Sequence, residues 1–144
     1  MEPATVLVAE DDDNEASLLI AALMKAGLHA EVDVVRNGLQ TIEYLQRRAA
    51  THLSLPLLLL DLRMPRMNGF EVLEWLQQRP ELRPTKLVVL SSCLAPHDIQ
   101  RAAMLGVDHY LVKPDRIEEL INMMKRLDSC WSGYAPAEPN KAAA

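Results

Sequence analysis

Four consecutive leucines, Leu57 to Leu60, form the apolar run that most restricts what this chain can become. A strand projects alternate side chains to opposite faces, so a strand with no polar position must be covered on both, the condition of a central strand in a parallel sheet. Comparable runs at Thr5 to Ala9, Ala30 to Val35, Lys86 to Leu90 and His109 to Val112 bring the predicted strands to five. Between them apolar residues recur every three or four positions: Ala16, Leu19, Ile20 and Leu23; then Leu39, Ile42 and Leu45; then Val72, Leu73 and Leu76. A fourth helix is expected from Pro96 to Leu105. A fifth, from Arg116 to Leu127, carries the stripe Ile117, Leu120, Ile121, Met124 and Leu127. Gly27, Asn37-Gly38, Pro80, Pro84 and Gly106 fall where helices should start or stop. Strands alternating with helices at this spacing need crossover connections, so the expected class is α/β, open and doubly wound.

The chain has 144 residues, 49% of them hydrophobic and 24% charged, the balance of one domain around a single core. Residues 1–127 are read as that domain and 128–144 as a tail, in which Trp131 and Tyr134 suggest docking and the closing Lys141-Ala-Ala-Ala an appended scar. A net charge of -5 offers no broad phosphate-neutralising surface, so nucleic acid is not an expected partner. No apolar run approaches the ~20 residues of a membrane-spanning helix. With no basic-then-apolar leader at the N-terminus, the expected location is the cytoplasm. Cys93 and Cys130 lack metal-ligand spacing and are read as free thiols. His29, His52, His97 and His109 are equally dispersed, and Trp75 and Trp131 are read as packing anchors.

In open doubly wound sheets, ligands bind beyond the carboxyl ends of the strands. That rule selects Glu10-Asp11-Asp12-Asp13 after the first strand, Asp61 after the third, Ser91-Ser92 after the fourth and Lys113-Pro114 after the fifth. Each alone reads as a helix cap, a turn or a solvated lysine. Together at successive strand ends they make a site. Carboxylates about 4 Å apart repel by ~4 kcal/mol at an effective dielectric near 20, so the acids at this mouth need a cation, and Mg²⁺ with oxygen ligands meets that need. A metal, a lysine and a serine hydroxyl around a phosphoryl group passing in line to an aspartate would yield a covalent aspartyl phosphate. The loop Asp61-Leu-Arg-Met-Pro-Arg-Met-Asn-Gly69 would hold Asp61 at the rim and aim the Arg63 carbonyl at the metal.

With these motifs in place, the sequence from Val6 to about Leu127 resembles the receiver domain of two-component response regulators. The resemblance implies a sheet of order 2-1-3-4-5 flanked by five helices. It implies that Asp61 accepts a phosphoryl group from the phosphohistidine of a sensor histidine kinase, that Asp11 ligates Mg²⁺, and that Glu10 acts in its outer sphere through water. Ser91 matches the switch hydroxyl, Lys113 the lysine that pairs with the phosphoryl group, and Tyr110 the aromatic switch; Lys113-Pro114 is often joined by a cis peptide. Ser91 stands where threonine is commoner, and Cys93 where relatives carry other groups.

The pieces Val35-Arg-Asn-Gly38, Glu43-Tyr-Leu45, Asp61-Leu-Arg-Met-Pro65 and Tyr110-Leu-Val-Lys-Pro114 look most like stand-alone regulators that work with bacteriophytochromes. The tail after Leu127 is too short for an output domain, so the expected output is a protein contact or onward phosphotransfer, and a homodimer is a further expected partner. The expected dimer surfaces are the fourth helix, fifth strand, fifth helix or tail. On this reading the chain is not an enzyme. The rivals are an aspartyl-nucleophile phosphatase, which would want a second Asp where Arg63 stands, and a receiver-like scaffold, which would typically have lost Asp61 or Lys113.

Overall fold

Parallel pairing of short apolar strands organises the chain. The computed structural model describes residues 4–28 and 30–130. The readings placed on His29, on the tail with Trp131 and Tyr134, and on the side chain of Cys130 lie outside the described residues. Strands β1 (Ala4–Ala9), β2 (Ala30–Val35), β3 (Leu57–Leu60), β4 (Lys86–Ser91) and β5 (His109–Val112) pair in parallel in the order β2-β1-β3-β4-β5. The crossovers are α1 (Asp13–Lys25), α2 (Gly38–Ala50), α3 (Gly69–Gln77) and α4 (Pro96–Met104), and α5 (Ile117–Cys130) comes after the last strand. Strand order reverses about β1, so the crevice between the ends of β1 and β3 is the expected place for a ligand.

The two faces of the sheet bury separate clusters. Leu58 and Leu60 of β3 pack with Leu7, Val89, Leu73 and Ala102 on the face covered by α2, α3 and α4. Leu57 and Leu59 join Val6, Val8, Val88, Leu23 and Met124 on the face covered by α1 and α5. All four β3 leucines are at most 1% exposed, as an all-apolar strand requires. No described helix is long and apolar enough to cross a membrane.

Capping chemistry sets the helix ends. The side chains of Asp12, Asn37 and Asn68 accept from the amides of Glu15, Gln40 and Glu71, and the Glu71 side chain accepts from the Asn68 amide to complete a capping box. Gly27, at φ +104°, ends α1 in a Schellman turn, with Leu28 N donating to Leu23 O and Gly27 N to Met24 O. Three local expectations differ. The fifth helix continues to Cys130 rather than stopping at Leu127, and Pro80–Leu82 form a turn of 3-10 helix where the proline signals mark only a break. Among the described residues no peptide bond is cis, so Lys113–Pro114 is trans, the lower-energy form of an X–Pro amide.

Asp108 ties the approach to β5 onto β4: its Oδ2 accepts from Leu87 N at 2.8 Å and from Arg83 Nη2 at 3.0 Å. Burial opposes its charge, but these bonds outweigh that and hold its pKa below the ordinary 3.8. A carboxylate depressed on folding contributes stability that is present above its unfolded pKa and lost as pH falls through the folded one. Replacing Asp108 by Ala leaves the Leu87 amide without this partner and should cost about 1–3 kcal/mol in urea unfolding at neutral pH. The deficit of Asp108→Asn relative to wild type should shrink as pH falls below 3.8.

Candidate functional site

Strand register brings the polar residues together. β1 and β3 run in step from Val6↔Leu57 to Ala9↔Leu60, so Glu10 and Asp61 are the next residues out. The ladder continues one step further, with Asp61 N donating to Ala9 O at 3.0 Å. On the other side β4 and β5 end at Ser91↔Val112, and Lys113 N donates to Ser91 O at 2.8 Å. Continuing the strand alternation gives Glu10, Asp61 and Lys113 the parity of the α1/α5 face, and Ser91 and Tyr110 that of the opposite face.

Glu10 and Asp61 are buried, at 4% and 7% exposure, and Asp11 is exposed. One carboxylate oxygen from each lies within 4.8 Å of the others. The Lys113 ammonium reaches Glu15 Oε1 at 2.5 Å, Glu10 Oε1 at 2.9 Å and Asp61 Oδ2 at 3.5 Å. Burial, reinforced by the charge of Asp61, pushes the Glu10 carboxyl up to about 7 despite the hydrogen bond and charge of Lys113. For Lys113 burial works against the charge, but the bonds from Glu15 and Glu10 and the charge of Asp61 prevail, so its pKa is raised and the ammonium persists.

The β3–α3 loop holds Asp61 from the other side. Arg63 N donates to Asp61 Oδ1 at 3.1 Å, which sets the Arg63 backbone beside the carboxylate. The loop passes through left-handed backbone at Arg66 and Met67, with φ of +56° and +107°, and Gly38 N secures it by donating to Met67 O at 2.9 Å. It closes on Gly69, where a Cβ would stand 2.6 Å from Asp61 O and 2.7 Å from Leu62 Cα. Only glycine lets α3 begin this close to the end of β3.

Ser91 is fully buried, and its Oγ accepts from Cys93 N at 3.1 Å. Ser92 is exposed and lines a cleft with Glu15, Lys113 and Leu120. Tyr110 donates its hydroxyl to Cys93 O at 2.9 Å, and the Cys93 thiol donates to Asp98 Oδ2 at 3.1 Å. Thus Glu10, Asp11, Asp61, the Arg63 backbone and Lys113 share one mouth. Ser91 and Tyr110 are joined instead through the Cys93 backbone. Sequence reasoning missed Glu15; the available signal was its place in the first turn of α1, directly after the acidic run. It also missed the bridging position of Cys93, which no local pattern announces.

Three grouped carboxylates, two of them buried, suit a hard divalent cation such as Mg²⁺. Neutralising one of them should relieve repulsion in metal-free protein while weakening the metal response. Asp11→Asn is therefore expected to unfold in chelator at a temperature no lower than wild type, yet to lose most of the rise that Mg²⁺ gives the wild type. Thermal melts with and without Mg²⁺ check both.

Residues 6–125 match the response regulator receiver domain, and the chain belongs to that family. It is 31% identical over 134 residues to the probable methanogenesis regulatory protein FilR2 of Methanothrix harundinacea, covering 92% of this chain and 86% of that protein. It is 30% identical over 131 residues to the response regulator Rcp1 of Synechocystis, covering 90% and 89%. Among solved structures, the phosphorylated cyanobacterial phytochrome response regulator RcpA superposes with a TM-score of 0.81 at 28% identity, over 96% of this chain and all of that one. The bacteriophytochrome response regulator RtBRR gives 0.76 at 33% identity, over 99% and 86%. The Mn²⁺-bound form of Rcp1 gives 0.78 at 27% identity, over 94% and 100%. The chain is thus a two-component receiver related to phytochrome response regulators.

Proposed function

We propose that this chain works in the cytoplasm, that its Asp61 accepts a phosphoryl group from the phosphohistidine of a sensor histidine kinase of the bacteriophytochrome kind, and that the resulting acyl phosphate switches the α4–β5 region. The observation that carries this reading is a buried Asp61 grouped with Glu10 and Asp11 and facing the Lys113 ammonium at 3.5 Å. The likeness to Rcp1, RcpA and RtBRR supports the choice of kinase.

In the transfer an Asp61 carboxylate oxygen forms a bond to phosphorus as the bond from phosphorus to the histidine ring nitrogen breaks, and that nitrogen keeps the electron pair. Arg63 N fixes the rotamer through Oδ1, which turns Oδ2 toward the Lys113 ammonium at 3.5 Å. Lys113 donates to a phosphoryl oxygen. Asp11, Asp61 and the Arg63 carbonyl would hold Mg²⁺, with Glu10 acting through water. The ion bound there supplies charge neutralisation for the transferring group.

The new group carries about -1.5 to -2 charges close to Ser91. Turning its hydroxyl toward a phosphoryl oxygen removes the acceptor now used by Cys93 N, and Cys93 O holds the Tyr110 hydroxyl. Movement in this stretch therefore reaches Tyr110 directly. A full switch from 1:99 to 99:1 needs ~5.5 kcal/mol of differential stabilisation, within the scale of several charge-assisted hydrogen bonds.

The chain acts as an acceptor rather than a turnover phosphatase, because the position two past Asp61 supplies a backbone amide from Arg63 and no second carboxylate. A phosphorylation-independent scaffold would have no use for both Asp61 and Lys113. Label transferred from an autophosphorylated bacteriophytochrome kinase should appear on wild type, be stripped by hydroxylamine and be absent from Asp61→Asn. Equal labelling of Asp61→Asn would place the acceptor elsewhere.

A further inference from the structure

Lys113 has three ammonium donors, and three carboxylates stand around them. Its shortest contact is to Glu15 Oε1 at 2.5 Å, ahead of Glu10 at 2.9 Å and Asp61 at 3.5 Å. Glu15 lies outside the trio of grouped acids. It belongs to the first turn of α1, where its amide is fixed by Asp12 Oδ1 at 3.0 Å, so the helix cap positions the residue while its side chain reaches the start of the β5–α5 loop.

A phosphoryl group on Asp61 draws the ammonium toward Asp61, now its most distant partner at 3.5 Å, and so away from one of the two closer carboxylates. The side chain of Glu10 is 5% exposed, so little bulk water can take the place of the ammonium there. That of Glu15 is 49% exposed, so water replaces the lost contact at small cost. We infer that Glu15 is a positioning residue that holds Lys113 in the unphosphorylated protein and releases it when a phosphoryl donor binds. This rests on Asp61 being the phosphoacceptor. Release precedes transfer, so Glu15 opposes donor binding and leaves the chemical step alone, the pattern of uniform binding.

The test is the rate of phosphorylation by acetyl phosphate with Mg²⁺ as a function of donor concentration. Glu15→Gln and Glu15→Ala are expected to lower the half-saturating concentration about 2- to 5-fold, the range open to an ion pair with one exposed partner, with the maximal rate unchanged. A purely structural role at the start of α1 would shift the melting temperature and not this split. An unchanged half-saturating concentration, or a change in the maximal rate alone, overturns the inference while leaving Asp61 as acceptor intact. A second readout needs no phosphorylation: the ¹⁵N NMR signal of the Lys113 ammonium should shift in Glu15→Gln, and an unmoved signal overturns the inference even if wild type takes no label at Asp61.

Discussion

One ammonium shared among carboxylates at the mouth of a parallel sheet is the interaction on which the site depends. Glu10 and Asp61 are buried at adjacent strand ends, and like charges about 4 Å apart repel by ~4 kcal/mol at an effective dielectric near 20. Lys113 offsets part of this, drawn in by the β4–β5 register that sets it next to the last paired residues. The offset is incomplete, and Glu10 is left with a carboxyl pushed up to about 7, first by burial. A mouth so arranged is poised to take a cation and then an anion. Each brings the charge the resting site lacks or can exchange.

The sheet divides the site residues between its two faces. Strand alternation sends Glu10, Asp61 and Lys113 toward the α1/α5 face and Ser91 and Tyr110 toward the face carrying α4. Glu10, Asp61 and Lys113 thus sit over one core and Ser91 and Tyr110 over the other, with the end of β4 as the crossing point. Cys93 occupies that crossing, its amide on Ser91 and its carbonyl on Tyr110. A change at the mouth has a short covalent path to the α4–β5 surface.

Much of this was legible in the sequence because strand ends obey a simple rule. The all-leucine run announced β3, and the residues at or just past the ends of four of the strands named the polar set without any coordinates. Helix boundaries were legible where a cap or glycine marks them, as at Asn37 and Gly27. The hidden features depend on side chains meeting across long sequence separations or on backbone with no compositional sign. Glu15 and Lys113 meet 98 residues apart, and Arg66 and Met67 adopt left-handed backbone where no glycine or asparagine would suggest it. The 3-10 turn at Pro80–Leu82 was hidden differently, since a proline ends a helix without specifying the conformation of the next residues.

Metal-dependent phosphorylation of Asp61 can be read from the intact mass of the protein. Wild type and Asp61→Asn would be weighed after incubation with acetyl phosphate, in Mg²⁺ and in chelator. An acceptor at Asp61 that needs the metal gives the mass of one added phosphoryl group in wild type with Mg²⁺ and no gain in the other three samples. A gain in Asp61→Asn, or an undiminished gain in wild type under chelation, would contradict it.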